Sequence, residues 1–255
     1  MRKPLFLHHS LICGLLMLGL SRAEDPKPVP PRITAMEPVI LMAGYSGPMK
    51  LRGFQLKTTQ QIQFADAPAI KVEIKDRKDA AQTPNTEKKD NGDSQVEFQI
   101  TIPSDQPPGL LSFTVQTEAG TTDALKIELL AADQVADEKE PNGGFREAQL
   151  VEPNKRIRGN IQQDQDVDVY QFRGVAGQKF HAEVLSARSP SLLDSTLTLH
   201  DSKGILLAQN DDADSRDSLL DYTLPSDGLY FLTLTDALDH GGEWHAYQLQ
   251  FNLTP

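Results

Sequence analysis

Short apolar segments with an alternating pattern dominate the first half of the chain. Ile70, Val72 and Ile74 alternate with charged residues, and residues 96–102 repeat the same pattern. Successive side chains of a strand point to opposite faces of a sheet, so a period of two predicts half-buried β-strands. Glycine and proline turns separate these segments. Several short strands with such turns between them indicate a β-sandwich.

Residues 76–93 interrupt this pattern. They are rich in charge and contain no apolar side chain larger than alanine. A segment of this composition cannot bury enough apolar surface to offset its conformational entropy. The composition therefore predicts a disordered insertion within a hairpin.

The turn spacing of the first half resembles that of the IPT/TIG immunoglobulin-like domains. The matching features are Pro38, Gly44, Gly53 to Leu56, Gln61 to Phe64, Pro103 to Gly109 and Thr117 to Gly120. The resemblance implies an immunoglobulin-like sandwich over residues 33–130, and residues 76–93 depart from its compact form.

A second β-patterned region follows a predicted junction at residues 131–137 and extends from 138 to 253. Its ordered features are Glu140-Pro141-Asn142, Ile157 to Ile161, Asp166 to Phe172, Gly177, Leu193-Asp194, Leu197 to Leu199, Asp201, Gly204, Leu207 to Asp212, Asp227 to Tyr230 and Tyr247 to Leu249. In this order they resemble the bacterial pre-peptidase C-terminal (PPC) domain family. The resemblance implies a jelly-roll-like β-sandwich on a secreted bacterial protein, often attached to a peptidase. Related modules of clostridial collagenases bind collagen and calcium.

Acidic and amide side chains open this second region. Glu138, Glu140 and Asn142 occupy alternate positions, so an extended segment would direct them to one face. Calcium takes six to eight oxygen ligands from such groups. Asp166 and Asp168 precede a core-facing stretch and are expected to emerge at the edge of the sandwich. By resemblance to the collagenase modules, these five residues are the candidate metal ligands and calcium the candidate cofactor. The alternative is an acidic linker followed by an ordinary turn.

A second acidic cluster lacks the spacing of a calcium loop. It comprises Asn210, Asp211, Asp212, Asp214 and Asp217. Arg216 stands where a D-x-D-x-D-G pattern would place its third acid, and no glycine follows. The sequence therefore predicts a solvated turn between strands.

The N-terminus has the pattern of a secretory signal peptide over residues 1–23. Arg2 and Lys3 precede a short apolar core, and Ser21-Arg22-Ala23 supplies small side chains for cleavage. An uncleaved anchor is the alternative, although the core is shorter than the roughly 20 residues of a membrane span. We expect no span after cleavage. Residues 24–32 are proline-rich and predict an extended linker.

Cysteine content and net charge limit the cellular compartments and the classes of partner that suit this chain. Cys13 is the only cysteine and lies in the predicted leader, so the mature chain would lack disulfides. Export without disulfides favours a bacterial periplasm, cell surface or exterior. The net charge of −11 repels phosphate backbones, which argues against nucleic acid as a partner.

No catalytic constellation accompanies these features. His240-Gly241-Gly242-Glu243-Trp244-His245 has the wrong order for H-E-x-x-H, and its glycines predict an exposed hairpin. Tyr230 and Tyr247 lie in predicted strands and are assigned to the core, which leaves Trp244 as the exposed aromatic contact.

The sequence thus predicts an all-β, exported protein with two β-sandwich domains and no enzymatic activity. We expect a binding or spacer role toward an envelope or extracellular protein or polysaccharide. An accessory or targeting subunit of a secreted peptidase or other hydrolase is one alternative. A carbohydrate-binding module is another.

Overall fold

The computed structural model describes residues 30–83, 86–186, 190–213 and 215–255. The predicted signal peptide and residues 24–29 of the predicted linker lie outside this part of the chain. Among the described residues, no helix has the length and apolar character needed to cross a membrane.

The first half forms two sheets with a common core. Its strands are β1 (Arg32–Glu37), β2 (Ile40–Met42), β3 (Ser46–Phe54), β4 (Gln61–Phe64), β5 (Lys71–Asp79), β6 (Ser94–Thr101), β7 (Gly109–Thr117), β8 (Gly120–Thr121) and β9 (Leu125–Leu130). One sheet has the order β1-β3-β6-β5, and the other has the order β2-β9-β7-β4 with β8 beside β7. Strand β2 is parallel to β9, whereas the other pairs are antiparallel.

The core of this half follows the alternation that the sequence predicts. In β4, Ile62 and Phe64 are buried while the glutamines beside them are exposed. Leu51 and Phe98 from one sheet meet Phe113 from the other in a single apolar cluster. Burial of one face of each sheet provides the driving force for this packing.

Part of the segment predicted to be disordered is ordered, so that prediction is wrong for the described residues of 76–93. Strand β5 continues to Asp79, paired with β6, and a short helix α1 (Lys88–Asn91) follows. The buried Arg52 donates to Asn91 Oδ1 at 2.8 Å and to the carbonyl oxygens of Asn91 and Ala81. Main-chain pairing and one buried guanidinium therefore hold this segment, in place of the apolar burial that it lacks.

The second half is a second pair of sheets. Its strands are β10 (Val135–Asp137), β11 (Gln149–Leu150), β12 (Arg156–Asn160), β13 (Asp168–Gly174), β14 (Lys179–Val184), β15 (Ser195–Asp201), β16 (Leu206–Asn210), β17 (Leu219–Thr223), β18 (Gly228–Asp236) and β19 (Ala246–Thr254). The sheet orders are β10-β12-β19-β14-β17 and β11-β13-β18-β15-β16. Phe172 stacks on Phe180 with ring centroids 5.1 Å apart, and both belong to the core between the sheets. The predicted all-β fold with two sandwiches is confirmed.

The stretch predicted as a junction contributes to the second sandwich. Residues 131–137 contain a 3-10 turn at Ala132–Gln134 and the edge strand β10. Strand β10 pairs in parallel with β12, with Val135 opposite Arg156. The backbone hydrogen bonds of this pairing fix the direction in which the chain enters the acidic segment that follows.

The two sandwiches pack directly against each other. Ala246, at the start of β19, belongs to the apolar core of the first half. The Met36 amide donates to the Pro190 carbonyl at 2.8 Å. The Arg158 guanidinium lies 5.1 Å from the ring centroid of Tyr45, close enough for a cation–π contact. One face of the sheet that contains β12 and β19 thus forms the contact with the first half.

Candidate functional site

Glu138 directly follows β10 and is held against β12. Its amide donates to the Arg158 carbonyl at 2.9 Å, which continues the strand pairing. Its carboxylate oxygen Oε2 accepts the Asn160 amide at 2.8 Å. The Glu138 carboxylate is therefore fixed at one end of the second sandwich.

Asn142 connects the same segment to the opposite sheet. Its carbonyl accepts the Val169 amide of β13 at 3.0 Å, and its own amide donates to Glu140 Oε2 at 2.8 Å. Asn142 Nδ2 donates to Glu138 Oε1 at 3.2 Å. The Asn142 residue is fully buried. Residues 138–142 therefore bridge the two sheets, and their polar side chains converge between them.

Asp168 enters this group from the first position of β13. Its side chain is buried, and Oδ2 accepts the Tyr247 hydroxyl at 2.5 Å. The Tyr247 hydroxyl is also hydrogen-bonded to the Tyr170 hydroxyl. The prediction that Asp168 emerges at the edge of the sandwich is wrong, because strand parity directs it, like Tyr170, toward the interior.

Three carboxylates meet where these elements converge. One carboxylate oxygen from each of Glu138, Glu140 and Asp168 lies within 4.8 Å of the others. Asn142 Oδ1 and Asp168 Oδ1 are buried and have no hydrogen-bond partner in the described part of the chain. A buried polar atom without a partner is costly to the fold. The group therefore has buried acceptor oxygens for a proton or a cation, and the Asp168 and Glu138 carboxyls are close enough to share a proton.

Burial dominates the protonation of this group. It raises the pKa of the Asp168 carboxyl from 3.8 to about 9, and the neighbouring Glu138 carboxylate adds to the rise. Burial also raises the pKa of Glu138. The pKa values of Tyr170 and Tyr247 lie well above 10, chiefly because both hydroxyls are buried. Without a cation, the group therefore retains a proton at neutral pH.

The donor set fits a hard divalent cation. Its ligand atoms are carboxylate and amide oxygens, with no sulfur or imidazole among them. Calcium prefers such oxygens and accepts irregular coordination, whereas zinc prefers nitrogen and sulfur. Glu138, Glu140 and Asp168 would hold the ion, and Asn142 Oδ1 would add a neutral ligand.

Asp166, also predicted as a ligand, does not join the group. Its Oδ2 accepts the Gln162 amide at 2.7 Å and its Oδ1 accepts the Val167 amide at 3.0 Å. Both oxygens thus close the turn that precedes β13. The structure brings together Glu138, Glu140, Asn142 and Asp168, and leaves Asp166 beside them in a local role.

Two residues around the group were not recognised from the sequence as part of it. Tyr247 is in the core, as predicted, but its hydroxyl also orients Asp168. Gly159 leaves room for the site, because a Cβ atom built there would lie 2.7 Å from Glu138 Oε2. Gly159 can be seen in the sequence as a glycine within the Ile157 to Ile161 segment. The sequence does not show that it lies next to Glu138 and Tyr247 in the fold.

The second acidic cluster divides between solvent and interior. Asp211 and Asp212 are exposed, as predicted, and residue 214 lies outside the described part. Asp217 is only 1% exposed, and its Oδ1 accepts both the amide and the hydroxyl of Ser186 at 2.8 Å. The prediction of a solvated turn is therefore wrong for Asp217, which acts as an internal acceptor for the neighbouring loop.

The glycine hairpin also differs from its prediction. Trp244 is 5% exposed and His245 4% exposed, so the predicted exposed aromatic contact is wrong. The Arg52 guanidinium carbon of the first half lies 5.8 Å from the Trp244 ring centroid. Packing between the sandwiches covers Trp244, and burial lowers the pKa of His245.

Comparison with known proteins supports the interpretation of the second half. Residues 166–236 match the family model of the bacterial pre-peptidase C-terminal domain. This range covers β13 through β18 and confirms the PPC resemblance there. Glu138, Glu140 and Asn142 precede the matched range, whereas Asp168 lies within it. The immunoglobulin-like family assignment of the first half stays a prediction.

Individual relatives are similar over limited stretches. A probable subtilase-type serine protease of Deinococcus radiodurans is 39% identical over 103 residues, which is 39% of this chain and 14% of the protease. The pre-peptidase C-terminal domain of a Bacillus anthracis collagenase is 20% identical, with a TM-score of 0.36, over 45% of this chain and 100% of that domain. Aeromonas hydrophila PliG, a periplasmic lysozyme inhibitor, is 14% identical, with a TM-score of 0.34, over 48% of this chain and 98% of the inhibitor.

Proposed function

We propose that this protein is a non-catalytic binding module, exported to the bacterial envelope or exterior, whose second sandwich is stabilised by calcium. The observation that carries the calcium site is the convergence of the carboxylates of Glu138, Glu140 and Asp168 beside two buried oxygens without partners. A bound cation would neutralise these charges and supply the missing partners. The acidic segment would then be fixed to both sheets at once.

The export and the binding role have separate support. The leader pattern of residues 1–23 and a mature chain without cysteine favour an extracytoplasmic compartment. The match of residues 166–236 to the bacterial pre-peptidase C-terminal domain supports a non-catalytic module. The acidic side chains of the candidate site are buried or bonded within the fold, which suits ion binding better than turnover of a substrate.

Thermal unfolding of the mature chain tests the calcium site. A ligand that binds only the folded state at 100 times its Kd stabilises it by about 2.7 kcal/mol. For a protein of this size, that corresponds to a rise in melting temperature of about 5–10 °C. We expect this rise in millimolar calcium relative to EDTA, measured by differential scanning calorimetry.

Two matched variants make the test specific. Glu140→Gln removes one ligand charge and should abolish most of the rise. Glu147→Gln makes the same change at an exposed position outside the cluster and should preserve it. The same melting temperature with calcium and EDTA in the unmodified protein, or a full rise in Glu140→Gln, would contradict the proposed site.

A second candidate function is that of an accessory module for a secreted peptidase. The match to a probable subtilase-type serine protease favours it, although the match spans 14% of that protein. If this is the function, the mature chain should co-purify with casein-degrading activity from its own envelope or culture fraction. Recovery of the chain free of such activity, by native gel and zymography, would argue against it.

A further inference from the structure

A groove between the two sandwiches has a volume of about 480 Å³. Leu110 and Glu128 contribute from the first half, and Arg156, Leu185 and Gln248 contribute from the second. A smaller cavity of about 180 Å³ adjoins it, shares Arg156 and adds Gln250 and Asn252. Ligand pockets occur preferentially at domain interfaces of this kind.

Two buried polar atoms in the groove lack partners. Gln248 is 5% exposed, and its Oε1 is buried with no hydrogen-bond partner among the described residues. Arg156 Nη1 is in the same situation. An acceptor and a donor left unsatisfied in one wall are costly to the fold, and a polar ligand that displaces the side chains covering them would satisfy both.

The chemistry of the wall matches hydroxyl groups. Gln248, Gln250 and Asn252 alternate along β19, so their carboxamides share one face at intervals of about 7 Å. Each carboxamide offers both a donor and an acceptor, as each hydroxyl does. Leu110, which is 59% exposed, and Leu185 add apolar surface beside this row. Hydroxyls with an apolar ring face are the combination that a sugar presents.

The charged side chains of the walls further restrict the class of ligand that fits the groove. Lys126, Lys155 and Arg156 line the groove and the adjoining cavity, against Glu128 as the acid in these walls. Arg156 Nη2 lies 3.8 Å from Glu128, and Lys155 is 3.1 Å from Glu152 outside the walls. The walls thus carry more basic than acidic side chains within a chain of net charge −11, and Lys126 is the exposed cation among them.

An extended peptide fits this groove less well. Strands β7, β9, β12 and β19 each have a neighbour on both sides in their sheets. Their main-chain groups are therefore already paired and cannot accept an added strand, which is the usual way in which a sheet binds an extended peptide. Recognition in this groove must come from side chains.

We propose that the groove between the sandwiches binds an oligosaccharide that carries carboxylates, such as a chain of uronic acid residues. Arg156 and Lys126 bind a sugar carboxylate, Gln248 and the carboxamide row bind hydroxyls, and Leu110 contacts a ring face. This proposal rests on the binding role proposed above and gives it a ligand class, but it does not require the calcium site.

Isothermal titration of the mature chain with tetragalacturonate tests the proposal, with cellotetraose as the neutral match. We expect saturable binding of the uronate and at least tenfold weaker binding of the neutral chain. Gln248→Met keeps the length of the side chain but removes its amide, and should weaken uronate binding about tenfold. Because Gln248 Oε1 has no partner, the same variant should melt at the same temperature as the unmodified protein or higher.

The controls separate a binding site from a folding effect. Arg156→Gln should weaken the uronate more than the neutral chain, whereas Gln209→Met, at an exposed position of β16, should change neither. No saturable binding at millimolar uronate, equal affinity of Gln248→Met, or equal affinity for both sugars would each overturn the proposal. Titration in both calcium and EDTA separates the two proposals. If the protein binds uronate but its melting temperature does not rise with calcium, only the calcium site is contradicted.

Discussion

The two acidic clusters of the second half have similar compositions but opposite environments. Glu138, Glu140 and Asp168 converge within 4.8 Å, with Asp168 buried and oxygens left unpaired. In the other cluster, Asp211 lies in solvent, and the buried Asp217 accepts two donors from Ser186 through Oδ1. The density of acidic residues is therefore uninformative by itself. What distinguishes the candidate ion site is that its carboxylates, from the exposed Glu140 to the buried Asp168, face one another.

The largest expected effect is the loss of the calcium response in Asp168→Asn. The amide imitates the protonated carboxyl and can still accept the Tyr247 hydroxyl, so the melting temperature in EDTA should change little. The stabilisation of about 2.7 kcal/mol expected at 100 times Kd should disappear. Calorimetry in EDTA and in calcium measures the melting temperature and its rise with calcium. If Asp168→Asn keeps the full rise, Asp168 is not a ligand.

Asp217→Ala should destabilise the protein independently of calcium. It leaves the buried amide and hydroxyl of Ser186 without an acceptor, at a cost of about 1–3 kcal/mol. Urea unfolding in calcium and in EDTA should give the same difference from the unmodified protein. A calcium-dependent difference would mean that the two clusters are not independent.

A smaller effect is expected on the pH dependence of stability, which should reflect the raised pKa of Asp168 in the first cluster. The pKa of Asp168 is about 9 in the folded state against 3.8 as its ordinary value, so between these pH values the folded state binds more protons than the unfolded chain. Stability in EDTA should therefore fall as pH rises through this window. Calcium binding replaces the proton and should flatten the slope. Melting curves from pH 5 to 8.5 test this, and a rise with pH in EDTA would contradict it.

The smallest effect is expected from Asp211→Asn. Asp211 is exposed, and its Oδ1 accepts the adjacent Asp212 amide at 3.0 Å. Surface substitutions of this kind change stability by about 0.5 kcal/mol or less. A large change in chemical denaturation would show that the exposed part of this cluster has a structural role.

The sequence predicts best where the signal is local. Alternation within residues 61–64 and 71–75 specifies strands because side-chain direction has a period of two. Of the five candidate ligands that the family resemblance implies, the structure brings together all except Asp166, and ion binding by them stays a prediction.

Long-range contacts explain most of what was mispredicted. Trp244 is buried because a different sandwich covers it, and Asp217 is buried because Ser186 supplies its donors. Arg52 orders a segment almost forty residues away through Asn91. No local pattern in the chain encodes these partners, so composition and turn signals predicted exposure or disorder for all three regions.

Ala246 belongs to both halves of the protein, and this affects the cooperativity of unfolding. This residue starts a strand of the second sandwich yet packs in the core of the first, while Trp244 lies beneath Arg52. Unfolding either half would expose apolar surface of the other, so neither can open alone without an additional free-energy cost. We expect a single heat-capacity peak for the whole chain. When residues 33–130 are expressed alone, the fragment should have a lower melting temperature than the same residues have in the whole chain, because it loses the contacts with the second sandwich.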